Sequence, residues 1–339
     1  MTIKIEDISR QLGISVSTVS KALNGYADVS QATKERVLQA TREMGYHPSA
    51  TARNLRRGRT DKIGFVFNNA FTFISDYFAE VIVGATAAAE SQGNNIVLYT
   101  NEGDSPDSLL NLFRAREVDG FIIVWNHVPA AIIEELLKSN VPFVILGRRV
   151  GHPQASFIAP DNYNGAVLLM EHLLELGHRR IGFTTRPSMG RTNEDRFNAY
   201  KDCLAAANIP FEPHLVVETK IEPRSGYHAM NQLLDLAEPP TAVFAFHDFV
   251  AIDAQRAVLE RGLRIPQDVA LAGFDGLRTT LFTSPPITTV AQPLAEIGRE
   301  SIEALLSRIE DNSQPPVQKT LSVELLARES TLGQQLLVN

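Results

Sequence analysis

Cysteine is nearly absent from this chain of 339 residues: Cys203 stands alone. One thiol forbids an intrachain disulfide and cannot build a cysteine zinc site, so a reducing, cytoplasmic setting is expected. No apolar run approaches the roughly 18 residues of a membrane span. The opening stretch MTIKIEDISRQL carries charges where a signal peptide needs an apolar core, so export is not expected. There is no Gly-x-Gly-x-x-Gly, no Walker loop and no Gly-x-Ser-x-Gly elbow. The eight histidines are scattered without a metal spacing. Neither a cofactor nor a metal is therefore expected.

What remains is ordinary globular material, 44% hydrophobic and 21% charged, in a length that suits two or three domains. The net charge of −7 hides an asymmetry. Residues 1–60 hold ten Lys and Arg against five Asp and Glu, while the other 279 hold 22 against 34. A small basic head on a large acidic body hints at nucleic acid, because cationic side chains displace counterions from phosphates.

In the head, Ile5, Ile8 and Leu12 fall at helical spacing, and Gly13 can end that helix. Ser15 can cap a second helix with Val19, Ala22 and Leu23 on its apolar face. Ser30 can cap a third, with Val37, Leu38, Thr41 and Met44 inward and Gly45 as its stop. Three short helices with a tight turn between the first two make helix-turn-helix geometry. The second helix shows Ser17, Thr18, Lys21 and Asn24 outward; hydroxyls suit phosphates, and a lysine can reach a guanine edge. A protein-binding three-helix bundle fits the same residue types.

The stretches IEDISRQLGISVSTVSKALNG and VSQATKERVLQATREMGYHPSATARNLR resemble the headpiece of the LacI/GalR family of bacterial transcription regulators. By that resemblance Val16, Ser17 and Lys21 read bases, and Ser15, Thr18, Ser20 and Asn24 hold phosphates. It makes residues 1–48 the headpiece and 49–60 a hinge, in which Leu55 wedges into the minor groove. Arg53 and Arg56 are backbone contacts or soluble linker residues.

From Lys62 onward short apolar runs alternate with helical stretches, the pattern of parallel sheets with helices on both faces. Lys62-Ile63-Gly64-Phe65 and Arg180-Ile181-Gly182-Phe183 open two such series, consistent with two similar α/β lobes. Facing lobes bind ligands beyond their C-terminal strand ends. Asp161-Asn162, HLLELGHRRIGF and VALAGFDG carry the same family resemblance through the body. It implies an effector domain over 61–339 with the fold of periplasmic sugar-binding proteins. The N-lobe is expected at about 61–160 plus 291–324, and the C-lobe at about 161–290 plus 325–332. A homodimer on near-palindromic double-stranded operator DNA is implied, with no membrane.

Arg196 and Asp275 match the family's ligand-binding pair; a guanidinium donates to adjacent hydroxyls and a carboxylate accepts from them. His247 stands where many members have Asn, and Gly147-Arg148 where many have Asp-Arg, so the hydroxyl pattern read here differs. Arg148 and Arg191 are further candidates. Asp248 is expected to cap the helix that follows it. Trp125 directly follows a strand and is expected at the cleft, with Tyr77 and Phe78 as further ring platforms. Phe71, Phe73, Phe246, Phe249, Phe274 and Phe282 lie near other strand ends or loops.

The expectation is a repressor, not an enzyme, released from its operator by a small carbohydrate, a disaccharide or glycoside. A nucleoside or nucleobase effector is the alternative. A transport receptor would need export, and a sugar enzyme would need an activated pair that nothing marks.

Overall fold

The computed structural model describes residues 3–23, 26–46, 59–67, 76–100, 105–125, 128–220 and 222–333. The chain divides into two compact units, Met1–Thr60 and Asp61–Asn339.

The first unit holds three helices, α1 (Ile5–Leu12), α2 (Val16–Leu23) and α3 (Gln31–Met44). Gly13 ends α1 at φ 66°, a left-handed turn that favours glycine. The Ser15 and Ser30 hydroxyls accept the Thr18 and Thr33 amides at 3.0 and 3.3 Å, taking up donors that each helix start leaves open. Ile8, Val19, Ala22, Val29, Val37 and Ala40 form the core. Leu38, expected inward, is 42% exposed, and Ala40 takes its place. One helical face carries Val37, Ala40, Thr41 and Met44, and position 38 lies about 100° round from 37.

In the second unit, one sheet holds β1 (Lys62–Phe67), β2 (Asn95–Thr100), β3 (Gly120–Val124), β4 (Phe143–Leu146), β5 (Ser156–Pro160) and β11 (Gln318–Leu321). Its order is β11-β5-β4-β3-β1-β2, all parallel. Helices α4 (Asp76–Ser91), α5 (Asp107–Arg114), α6 (Ala130–Lys138) and α11 (Leu294–Glu310) cover it. The other sheet holds β6 (Ile181–Thr185), β7 (Val216–Glu218), β8 (Ala242–Phe244), β9 (Ala270–Asp275), β10 (Thr288–Ala291) and β12 (Glu324–Leu326). Its order is β12-β10-β9-β8-β6-β7, with β12 antiparallel. Around it lie α7 (Asn162–Glu175), α8 (Arg191–Ala206), α9 (Ser225–Leu234), α10 (Asp248–Glu260) and α12 (Glu329–Leu332). The echoed tetrapeptides open β1 and β6, Arg180 standing just before its strand, and the two strands occupy the same place in the two orders.

Strand alternation sorts the core of the first sheet. Ile63, Phe65, Ile122 and Val124 pack with α4 and α11; Val66, Phe121, Ile123 and Ile145 pack with α5 and α6. Helices α4 and α11 touch backbone to backbone. A Cβ on Gly84 would lie 1.9 Å from the Ala295 carbonyl oxygen, and one on Gly298 would lie 2.1 Å from that of Val81. The chain passes between the lobes after Pro160, after Ala291 and after Leu321. Among the described residues no helix is long and apolar enough to cross a membrane, and no group of His, Cys, Asp and Glu could hold a metal.

Candidate functional site

On the headpiece, packing of Val19 and Ala22 into the core turns the opposite side of α2 outward. Val16 is 39% exposed and Ser17 lies beside it in solvent. Lys21 forms an ion pair with Asp28 and holds that carboxyl below its usual range. Both side chains are about half exposed, so the pair is weak. Ser15 and Thr18 are bonded to each other at 2.8 Å as part of the cap. Ser20, expected at phosphate, is buried beside Val19. Asn24, Arg53, Leu55 and Arg56 lie outside the described residues, as do Phe71 and Phe73.

In the body, both lobes line a cavity of 480 Å³ beyond the C-terminal strand ends. The N-lobe contributes Tyr77, Phe78, Val124, Leu146 and Arg148; the C-lobe contributes Arg186, Thr192, Arg196, His247, Phe249 and Asp275. Gln292, just after β10, belongs to a crossing segment.

Arg196 is 3% exposed. Its Nε and Nη2 donate to Asn162 Oδ1 at 3.0 and 2.8 Å, Nη1 donates to the Phe246 carbonyl, and Nη2 also reaches Asp275 Oδ1 at 3.3 Å. The Phe274 and Phe246 rings lie 3.6 and 4.8 Å from its guanidinium carbon. These bonds use all but one of its N–H donors, so Arg196 builds the wall more than it reaches out from it. Asp275 Oδ1 also accepts from Gln292 Nε2 at 2.7 Å, and Gln292 Oε1 accepts the Tyr77 hydroxyl at 3.2 Å. A polar chain thus runs from α8 through β9 and a crossing segment to α4 in the other lobe. Burial raises the Asp275 carboxyl to about 6 despite Arg196 beside it. Its backbone, at φ 120°, is rarely adopted by a residue with a side chain, and such strain collects at functional sites.

His247, not Asp248, caps α10: its Nδ1 accepts the Val250 amide at 3.2 Å. Asp248 is the first helical residue and fully buried, accepting from the Leu277 amide and the Thr289 hydroxyl at 2.7 and 2.6 Å. Burial, then the Asp275 charge, raises its carboxyl well above the usual range. Burial, then the Arg186 and Arg196 charges, push the His247 imidazole well below its ordinary value, which keeps it neutral. Burial lowers Arg148 to about 10.

Two expected residues are not in the cavity wall. Trp125 is fully buried with Phe121 and Ile123, the same-face neighbours that strand alternation gives it, and its indole N–H has no partner among the described residues. Val124, one residue earlier, lines the cavity instead. Arg191 is exposed at the start of α8, where its guanidinium would meet a side chain on Gly151; Thr192 lines the cavity in its place. Arg186, Thr192 and Gln292 were not expected. Arg186 follows β6 and Gln292 follows β10, so the strand-end rule that suggested Trp125 reaches both.

A helix-turn-helix unit, joined in one chain to a two-lobed sheet body with a polar cleft, defines a DNA-binding transcriptional regulator. Residues 4–49 match the model of bacterial regulatory proteins of the lacI family, and residues 170–331 that of a periplasmic binding protein-like domain. The HTH-type transcriptional regulator CelR of Thermobifida fusca is 34% identical over 96% of this chain and 97% of its own length. The HTH-type transcriptional repressor PurR of Mannheimia succiniciproducens is 32% identical over 96% and 98%. A CelR–cellobiose complex superimposes with a TM-score of 0.75 at 31% identity, covering 97% of this chain and 99% of the other. The lac repressor dimer bound to operator and the anti-inducer ONPF gives 0.85 at 26% identity, covering 98% and 100%. The chain belongs to the lacI family of bacterial regulatory proteins and is a transcriptional repressor, not an enzyme.

Proposed function

We propose that this repressor, as a homodimer on a near-palindromic operator, is released by a small carbohydrate of one or two sugar units held between the lobes. The observation that carries this is the cavity. Its volume of 480 Å³ lies within the range of about 300–1,000 Å³ usual for small-molecule sites. Aromatic and aliphatic side chains meet an array of polar ones across it, which suits a ring with an apolar face and a hydroxyl rim. The likeness to a regulator solved with cellobiose supports the same reading. Arg196, Asp275, His247, Arg148, Tyr77 and Phe78 act on the effector, and the exposed side of α2 with Lys21 acts on bases. A nucleoside is the second reading, favoured by the rings of Tyr77, Phe78 and Phe249 in one cavity.

A ligand releases DNA only through unequal affinity for two lobe arrangements, typically ~1–3 kcal/mol of coupling. The test is operator binding by fluorescence anisotropy, on a sequence selected from random DNA, with cellobiose, glucose or adenosine added. A sugar that weakens binding by roughly 5–150-fold supports the proposal. Tighter binding with sugar reverses its sign, and a response to adenosine alone transfers the site to the second reading. Lys21→Ala is expected to cost about 1–3 kcal/mol at one base position; an equal loss on every sequence would place Lys21 on phosphate.

A further inference from the structure

Arg186 is 8% exposed in the cavity wall and has no carboxylate partner among the described residues. Its Nη2 donates to the Lys220 carbonyl at 2.7 Å, its Nη1 lies 2.7 Å from His247 Nε2, and its Nε has no partner among the described residues. Burial lowers its affinity for its own proton, with only Asp275 opposing.

The contact with His247 is mismatched. A neutral imidazole carries one N–H and one lone pair, and a guanidinium carries donors only. If His247 Nδ1 takes the Val250 amide, then Nε2 bears the hydrogen and two donors face each other across 2.7 Å. The other tautomer satisfies Arg186 and sets an N–H against the Val250 amide. Either way one donor is opposed, in a wall where Thr192 Oγ1 is also buried without a partner among the described residues.

Charge points the same way. Among the described lining residues the carboxylates are Asp275, already bonded to Arg196, and Glu222, which is exposed, and neither pairs with Arg186. Buried cations are ordinarily paired, and a carboxylate or phosphoryl oxygen accepts from guanidinium and imidazole N–H alike. A neutral hydroxyl accepts too but leaves the charge uncompensated.

We propose that the effector is an acidic carbohydrate whose carboxylate or phosphoryl group accepts from both Arg186 and His247, with Thr192 as a further donor. This rests on reading the cleft as the effector site.

The test is thermal unfolding of the full chain at fixed ionic strength with glucose, glucuronate, glucose 6-phosphate or inorganic phosphate. One of the two acidic sugars is expected to stabilise at concentrations at least about tenfold below glucose. Which acid leads separates phosphoryl from carboxylate. Arg186→Gln is expected to bring that ratio close to one, and Arg186→Lys to keep most of it. Inorganic phosphate is expected to give a saturable rise in the native chain that Arg186→Gln lacks, which decides the case if no sugar binds. Glucose matching both acids, or equal phosphate responses in the native chain and Arg186→Gln, would overturn the inference. The two readings fail separately. A neutral sugar that releases operator DNA leaves the effector reading standing and removes the acid. An acid that binds through Arg186 without moving operator affinity does the reverse.

Discussion

The two walls of the cleft are built differently. On the C-lobe side Arg196, Asn162, Asp275 and Gln292 are bonded to one another, and Arg196 lies against two phenylalanine rings. On the N-lobe side Phe78, Val124 and Leu146 are core side chains that reach the cavity, and Tyr77 sends one hydroxyl across to Gln292. One wall is a fixed polar template, since its hydrogen bonds are made before any ligand arrives. The other is a mainly apolar cover that also holds Arg148, and its contacts depend on how close it comes. Orientation of a ligand should therefore be set by the C-lobe, and closure felt by the N-lobe.

The largest test of that contrast is Arg196→Ala. It strips the template of its central donor and leaves Asp275 buried without its cation, so a loss of about 3–5 kcal/mol in body stability is expected. Effector response should vanish while operator binding without effector survives. Melting and anisotropy measure the two, and a retained response would dissolve the template idea. Titration is the middle test. Because burial raises the Asp275 carboxyl to about 6, its protonated form is the one the fold favours. Its stabilisation is present below the unfolded value near 3.8 and is lost as pH rises through about 6. The melting temperature of the native chain, minus that of Asp275→Asn, should therefore fall between pH 4 and 7; a flat difference would mean the carboxyl is not desolvated. The smallest effect is expected from Tyr77→Phe, which removes one neutral hydrogen bond between the walls, about 0.5–1.5 kcal/mol. It should change coupling between effector and operator more than effector affinity. An equal effect on both would make Tyr77 part of the template.

The sequence is most legible where neighbours along the chain decide the structure. Caps at Ser15 and Ser30, the stop at Gly13 and strand β4 all follow from local pattern. The family resemblance located Arg196 and Asp275, which the structure brings together. Legibility fails where a choice between faces is needed. Trp125 and Leu38 are each one residue from a position that would have met the expectation, and only packing against distant elements selects the face. The cap falls on His247 and not on Asp248 for a related reason. Asp248 is drawn away from capping by the Leu277 amide and the Thr289 hydroxyl, 29 and 41 residues onward. Gln292 meets Tyr77 across 215 residues, and no local pattern marks such a pairing. Helix α11 is different: Leu294, Ile297, Ile302 and Leu305 repeat at helical spacing, yet the strand–helix alternation read from the chain assigns nothing there.

The N-lobe sheet is completed by β11, made of residues 318–321, and covered by α11, made of residues 294–310. The ribosome therefore finishes the three headpiece helices, with their own core, far ahead of the first lobe. At about 5–20 residues per second, the interval is on the order of tens of seconds. Over that time the growing chain owns its DNA-reading helices and has not yet been given the strand that completes its ligand-binding body.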